Sequence, residues 1–207
     1  MSKKEAPLAA LEEFLPQGSY LLVEPFLVQY KVQLTITRSR KTILGDYRNA
    51  IAGKSHRITV NGNLNRYSFL ITLLHELAHL ITFIQYGNHV ASHGKEWKNH
   101  FADLLKQFLQ ANIFPLDVKT QLLFSIKNPA ASSCADADLM RVLRNYDQLP
   151  EGVCLIEDLS EGRLFRIGKD RVFKLQKKLR KRIQAMEIST GKTYLFSPVY
   201  EVVVCDI

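Results

Sequence analysis

The chain has 207 residues, 46% hydrophobic and 23% charged, proportions of an ordinary packed protein that exclude wholesale disorder, collagen-like repeats and low-complexity scaffolds. That length accommodates one sizeable core, or a medium domain with a small one, and excludes a large multidomain assembly. The net charge of +8 admits a polyanionic partner, and its distribution is uneven: residues 163–182 hold ten Lys or Arg against the single acid Asp170.

At the N-terminus no uninterrupted apolar run follows Lys3 and Lys4, and the longest apolar stretch, 69–84, carries two histidines and a glutamate. Neither secretion nor membrane insertion is expected. Cys134, Cys154 and Cys205 lie far apart with no CxxC pair, which argues against a disulfide framework and against a zinc ribbon, and suits a reducing cytoplasm.

In chain order, Leu8, Leu11, Phe14 and Leu15 read as a short amphipathic helix stopped at Pro16 and Gly18. Val32, Leu34 and Ile36 alternate with Gln33, Thr35 and Thr37, the period of a half-buried strand, and a second strand is predicted at 57–60. From about Asn65 to Tyr86 runs a long, almost wholly apolar helix that Gly87 can terminate. A second helix, from Gly94 to about Gln110, gathers Trp97, Phe101, Leu104, Leu105, Phe108 and Leu109 on one face. The chain then loosens at Pro115 and at 128–133, with a helical piece near 138–146 and a boundary at Leu149-Pro150-Glu151-Gly152. Beyond it, 153–156, 163–167, 194–196 and 199–204 are short strand-like runs. The fold class expected is α+β: a first domain over 1–112, made of a small sheet, one long helix and a second helix. A helical linker over 113–150 and a small basic β module over 151–207 follow it.

All six histidines fall within residues 56–100. Among them stands His75-Glu76-Leu77-Ala78-His79, the HExxH pattern, whose imidazoles project from one helix face about one turn apart and can share one Zn²⁺. Glu76 is then placed as the base for a zinc-activated water, and the chemistry implied is hydrolysis. Ser68, Thr72, His75, Glu76, His79, Thr82 and Tyr86 form one polar stripe on an otherwise apolar helix. Burying imidazoles and a carboxylate without partners is costly, so this stripe is expected to line a cleft or bind a cation. A catalytic zinc needs a third protein ligand and an open position. The metzincin extension is excluded, because Thr82 and Gln85 occupy the places of its Gly and His. His89, His93, Glu96 and His100 remain. His93 is favoured, since it precedes Gly94 and lies one turn before Trp97; Glu96 is the thermolysin-like alternative. His89 and His100 suit outer or solvent-facing roles, and His56 a structural one.

HELAH, a loop of thirteen residues and then His93-Gly94-Lys95-Glu96-Trp97 resemble the SprT-like metalloproteases, whose signature is HExxH followed by His-Gly with an aromatic three residues after the Gly. Leu44 to Arg48 and His56 to Asn61 are similar to the strand region preceding the helix in that family, so the likeness spans about residues 34–105. By this resemblance residues 1–112 form a minimal zincin-like domain in which His75, His79 and His93 bind one catalytic zinc and Glu76 is the catalytic base. It further implies a protein substrate and, from the best understood branch, action on proteins crosslinked to DNA through a DNA-binding element after the protease domain. Many members carry a C-terminal zinc ribbon. Here the cysteines cannot supply four thiolates, and the tail resembles a degenerate ribbon that has lost its metal.

Lys177, Lys178, Arg180, Lys181 and Arg182 are the candidate nucleic-acid contacts, with Phe165, Phe173 and Tyr194 nearby as candidate stacking groups. Two functions compete. One is a cytoplasmic zinc metallopeptidase of SprT-like type. The other is a nucleic-acid-associated accessory protein, acting around transcription or stress responses, whose zinc site is structural or vestigial. The intact Glu76 argues for the first, because a structural site has no need of that carboxylate.

Overall fold

The computed structural model describes residues 8–40, 43–51, 53–127, 129 and 136–205. Cys134 and most of the 128–133 stretch lie outside the described residues. The chain forms two compact units, 1–147 and 148–207.

The first unit opens with a 3-10 helix, Leu8–Phe14, followed by α1 (Tyr20–Gln29). α1 was not expected. Its sequence is almost continuously apolar without a clear period, and Pro25 stands inside it, where a proline normally reads as a break. A three-stranded sheet follows, β1 (Gln33–Thr37), β2 (Gly45–Arg48) and β3 (Arg57–Asn61), in the order β1-β3-β2, with β1 parallel and β2 antiparallel to β3. Ile58 and Val60 on β3 are fully buried, while Arg57 and Thr59 alternate outward. β2 is thus an edge strand, and it packs against α2 (Arg66–Tyr86).

α2 is the central element. The Asn65 side chain caps it by accepting from the backbone N–H groups of Tyr67 (3.1 Å) and Ser68 (2.9 Å), and Gly87 ends it with φ of +60°. By length and composition α2 could cross a membrane, but 67% of its most apolar stretch is buried inside the protein. α3 (Lys95–Gln110) lies against it through Trp97, Phe101, Leu104, Leu105 and Phe108.

Residues 113–150 differ from the expected linker. α4 (Leu116–Ser125) and α5 (Ala137–Arg144) place Val118, Leu122, Leu139 and Leu143 in the same apolar cluster as α2. Asn65 ties this segment down by donating to the Leu143 carbonyl (3.0 Å) and to Asp147 (2.6 Å), and the Tyr146 hydroxyl donates to Asp117 (2.7 Å). Short helices carry few apolar positions each, so their docking is weakly written in any local pattern.

The second unit is a six-stranded antiparallel sheet in the order β4-β9-β5-β6-β7-β8. Its strands are β4 (Val153–Leu155), β5 (Leu164–Ile167), β6 (Arg171–Lys178), β7 (Ile183–Glu187), β8 (Thr193–Phe196) and β9 (Glu201–Val204). β6 and β7 were not among the expected strands. In β6 the buried Phe173 and Leu175 alternate with Lys174 and Gln176, a strand period obscured by its basic residues. The module's apolar core is built on Ile156, Phe165, Phe173, Leu175, Ile183 and Val202, with Glu187 buried at its side and bonded by Arg171, Thr190 and Tyr194. Cys154 and Cys205 form no disulfide among the described residues.

Candidate metal centre

On α2 the four-residue spacing brings His75 Nε2 within 3.2 Å of His79 Nε2. The third imidazole arrives from the loop after Gly87. There the Gly94 N–H donates to the Ala91 carbonyl (2.9 Å), tightening a turn that delivers His93 just ahead of α3. Space at Gly94 is short: a Cβ would stand 3.1 Å from that carbonyl and 3.3 Å from the Ala91 Cβ. His93 Nε2 lies 3.3 Å from His75 Nε2, and all three ligand atoms fall within 4.8 Å of one another, so the three histidines could hold a metal ion.

Trp97 forms the floor. It is fully buried one turn after His93, its indole N–H donates to the His75 carbonyl (3.4 Å), and its ring lies 4.6–5.3 Å from the rings of His75, His79 and His93. An aromatic four positions after a loop histidine therefore restrains all three imidazoles at once.

Burial sets the protonation states. Desolvation, with smaller contributions from the neighbouring imidazoles, holds His75 down at about 3 and His79 at about 4, and burial lowers His93 as well. All three are neutral at pH 7, the form a metal requires. Desolvation, reinforced by Asp46 and partly offset by Arg40, pushes Glu76 up to about 8.

These directions predict the pH response of chelator-treated protein. His75 and His79 are depressed below 6.5, so their contribution to stability is complete above pH 6.5 and lost as pH falls toward about 4 and 3. Glu76, raised from 4.5, contributes stability that is complete below pH 4.5 and lost as pH rises toward about 8. Between pH 4.5 and 6.5 the imidazoles outnumber the one carboxyl, and above 6.5 only Glu76 acts. Urea midpoints of metal-free protein should therefore peak near pH 6.5 and fall on either side, and Glu76→Gln should remove the fall toward pH 8 while leaving the acid limb.

The histidines and Glu76 open into a cleft of about 560 Å³ between β2 and the 87–93 loop. Its β2 wall is Gly45, Asp46 and Tyr47. The Tyr47 ring stacks on His79 (6.4 Å, 6° between planes), and its hydroxyl bonds His56 Nδ1 at 2.9 Å. Because that nitrogen also accepts the Ala50 N–H (3.2 Å), Tyr47 is the donor and His56 acts as a brace for the β2 wall. Tyr47 and Gly45 were not singled out as site residues. A four-residue edge strand offers too little alternation to show which side faces a cleft.

The remaining histidines stay outside this cleft. His89 is exposed, and His100 lies beside Tyr86 (6.3 Å) with its Nε2 buried and unbonded among the described residues. Glu96 is not part of the ligand group. In the second unit Lys177 and Lys178 end β6, and Arg180, Lys181 and Arg182 form the turn into β7; all five are exposed. Lys178 is engaged locally, donating to the Glu157 carbonyl (2.6 Å). Phe165 and Phe173 are fully buried and cannot stack on bases, because the strand period turns both inward. Tyr194 donates to Glu187 (3.1 Å) and lies under the Arg171 guanidinium.

No curated protein and no solved structure matched the chain. Residues 12–119, just over half of the chain, match the SprT-like family, a span that takes in β1 to β3, the HExxH helix α2 and the whole of α3. On that match and these elements, the chain belongs to the SprT-like family.

Proposed function

We propose that the protein is a zinc-dependent metallopeptidase in which His75, His79 and His93 hold one catalytic zinc and Glu76 is the general base. The observation that carries this reading is the convergence of three neutral imidazoles and an adjacent buried carboxylate on one open cleft. The nitrogen separations of 3.2 and 3.3 Å match the edge, about 3.3 Å, of a tetrahedron with zinc–nitrogen bonds of about 2.05 Å. Zinc, when bound, polarises a carbonyl and makes water acidic near neutral pH.

The chain's own residues then have distinct tasks. Glu76 is 5% exposed and lines the cleft, where its oxygens can take a proton. Burial keeps the metal-free Glu76 largely protonated at pH 7, and the positive charge of a zinc held beside it would favour the ionised form that can take a proton. Tyr47 and Trp97 restrain the imidazoles, and the 87–93 loop forms the opposite wall, limiting access to the cleft. The open cleft suits an unfolded protein segment as substrate. Zinc-loaded protein should cleave casein, lose that activity to a chelator and regain it with added zinc; casein left intact in the loaded state would count against the peptidase reading.

For a partner we infer DNA or another nucleic acid, contacted through Lys177, Lys178, Arg180, Lys181 and Arg182; the exposure of the β6–β7 turn supports this, and DNA-associated proteins are then the substrate class. If the contact is phosphate neutralisation, log affinity for duplex DNA falls linearly with log salt. Replacing Lys177, Arg180 and Lys181 by Gln should flatten that slope by about 0.9 per lost contact. An unchanged slope would remove the assignment. Were DNA binding to persist in a protein that never cleaves, the accessory reading with a structural zinc would replace the enzymatic one. Three cysteines spaced too far apart for a CxxC pair support a reducing cytoplasmic setting.

A further inference from the structure

Gly45 pairs with Val60 in β2 and has no positive φ, so nothing in the backbone conformation calls for glycine. The space around it does. A Cβ at this position would stand 2.5 Å from Glu76 Oε1, 2.9 Å from Glu76 Cγ and 2.8 Å from Thr72 Cγ2, distances that real Cβ atoms do not adopt. The edge strand and the helix thus approach each other at the one carboxylate that the proposed chemistry uses.

The strand has little freedom to retreat. The Asn61 N–H donates to the Leu44 carbonyl (2.9 Å), and the Asn61 side-chain amide donates to the carbonyls of Ile43 (3.0 Å) and Arg40 (3.1 Å). Arg40 in turn donates to Asn61 Oδ1 (2.7 Å) and Thr59 Oγ1 (3.0 Å). Asn61 itself is 1% exposed. On the helix side Thr72 is 3% exposed and β-branched, with χ1 restricted by its own turn. Between a clamped strand and a stiff threonine, the Glu76 side chain is the movable part.

We propose that Gly45 is a positioning residue for Glu76: its missing Cβ is the seat of the carboxylate, and the Asn61–Arg40 clamp holds that seat in place. The catalytic part of this assignment rests on the peptidase reading; the contact itself does not. A methyl at residue 45 would turn the carboxylate away from its place while leaving the three imidazoles, which pack on one another, on Trp97 and on Tyr47, able to bind metal. A displacement of about 1 Å in a reacting group can cost about a hundredfold in rate.

The test is a cycle of Gly45→Ala with Glu76→Ala, read first by thermal unfolding of the full chain. Gly45→Ala should lower the midpoint by several degrees in the Glu76 protein and by less than half as much in Glu76→Ala, where only the Thr72 methyl still crowds the site. Equal shifts in both backgrounds would overturn the contact. If Gly45→Ala does not fold alone, recovery of folding in the Glu76→Ala background supports the contact, and failure in both overturns it. The second readout is casein cleavage by zinc-loaded protein. Gly45→Ala should keep its zinc and lose about a hundredfold in kcat with KM within about twofold. Thr72→Ser, which removes the crowding Cγ2, should restore part of that loss. Normal kcat in Gly45→Ala, or a loss that tracks loss of zinc, would overturn the positioning role. Should the unsubstituted protein not cleave casein while the unfolding cycle shows coupling, the peptidase reading fails and the seat for Glu76 stands.

Discussion

Glu76→Gln is expected to retain one zinc per chain and to lose casein cleavage by about 10²–10⁴-fold. The amide preserves the length and shape of the carboxylate, so the packing against Gly45 and Thr72 survives, and the only property removed is the capacity to take a proton. The loss should appear in kcat rather than KM, since the proton is transferred only on the way to the transition state. Elemental analysis beside steady-state kinetics checks both halves. Cleavage at the original rate would remove Glu76 from its role, and loss of zinc together with activity would show that the substitution had disturbed the histidines instead.

His93→Ala should weaken zinc binding by at least a hundredfold, because loss of an outer partner of a ligand already costs about 10–100-fold and a ligand costs more. The reason lies in how the site is assembled. His75 and His79 share one face of a helix, but two imidazoles alone leave a metal half coordinated. Zinc at about one hundred times its Kd adds about 2.7 kcal/mol to folding stability, so the unsubstituted protein should gain several degrees in Tm on zinc addition and His93→Ala close to none. Glu96→Gln is the control, since Glu96 stands outside the ligand group, and it should behave like the unsubstituted protein. A Glu96→Gln protein that lost its zinc would transfer the third ligand to that side chain.

Much of the site was legible before any coordinates. The HExxH spacing is local: a helix places residues four apart on one face whatever surrounds it, so His75, Glu76 and His79 could be named directly. Asn65 and Gly87 bounded the helix for equally local reasons, an Oδ1 that accepts orphan N–H groups and a glycine at φ of +60°. His93 was harder, because its approach depends on a loop, yet the following Gly94 and Trp97 marked a turn into a helix with a bulky residue facing inward.

Other features were settled outside the local pattern. The segment holding α4 and α5 read as a helical linker, and only the cluster shared with α2 gives Val118, Leu122, Leu139 and Leu143 their place. β6 read as a charge run because its solvent side is lysine-rich, although Phe173 and Leu175 carry the strand period underneath. The same strand geometry buried Phe165 and Phe173, which charge and proximity had suggested as stacking groups.

By itself, then, the sequence marked the three histidines that could hold a metal, the carboxylate beside them and the two helices that flank the site. Those follow from helical periodicity and end-capping, interactions within a few residues of chain. The tertiary structure alone decided the wall of the cleft, namely that Gly45 lies against Glu76, that Tyr47 stacks on His79 with His56 behind it, and that Asn61 and Arg40 lock the loop between them. These contacts join residues separated by up to a few tens of positions, and their energies depend on close packing in three dimensions, which no periodicity of the chain encodes.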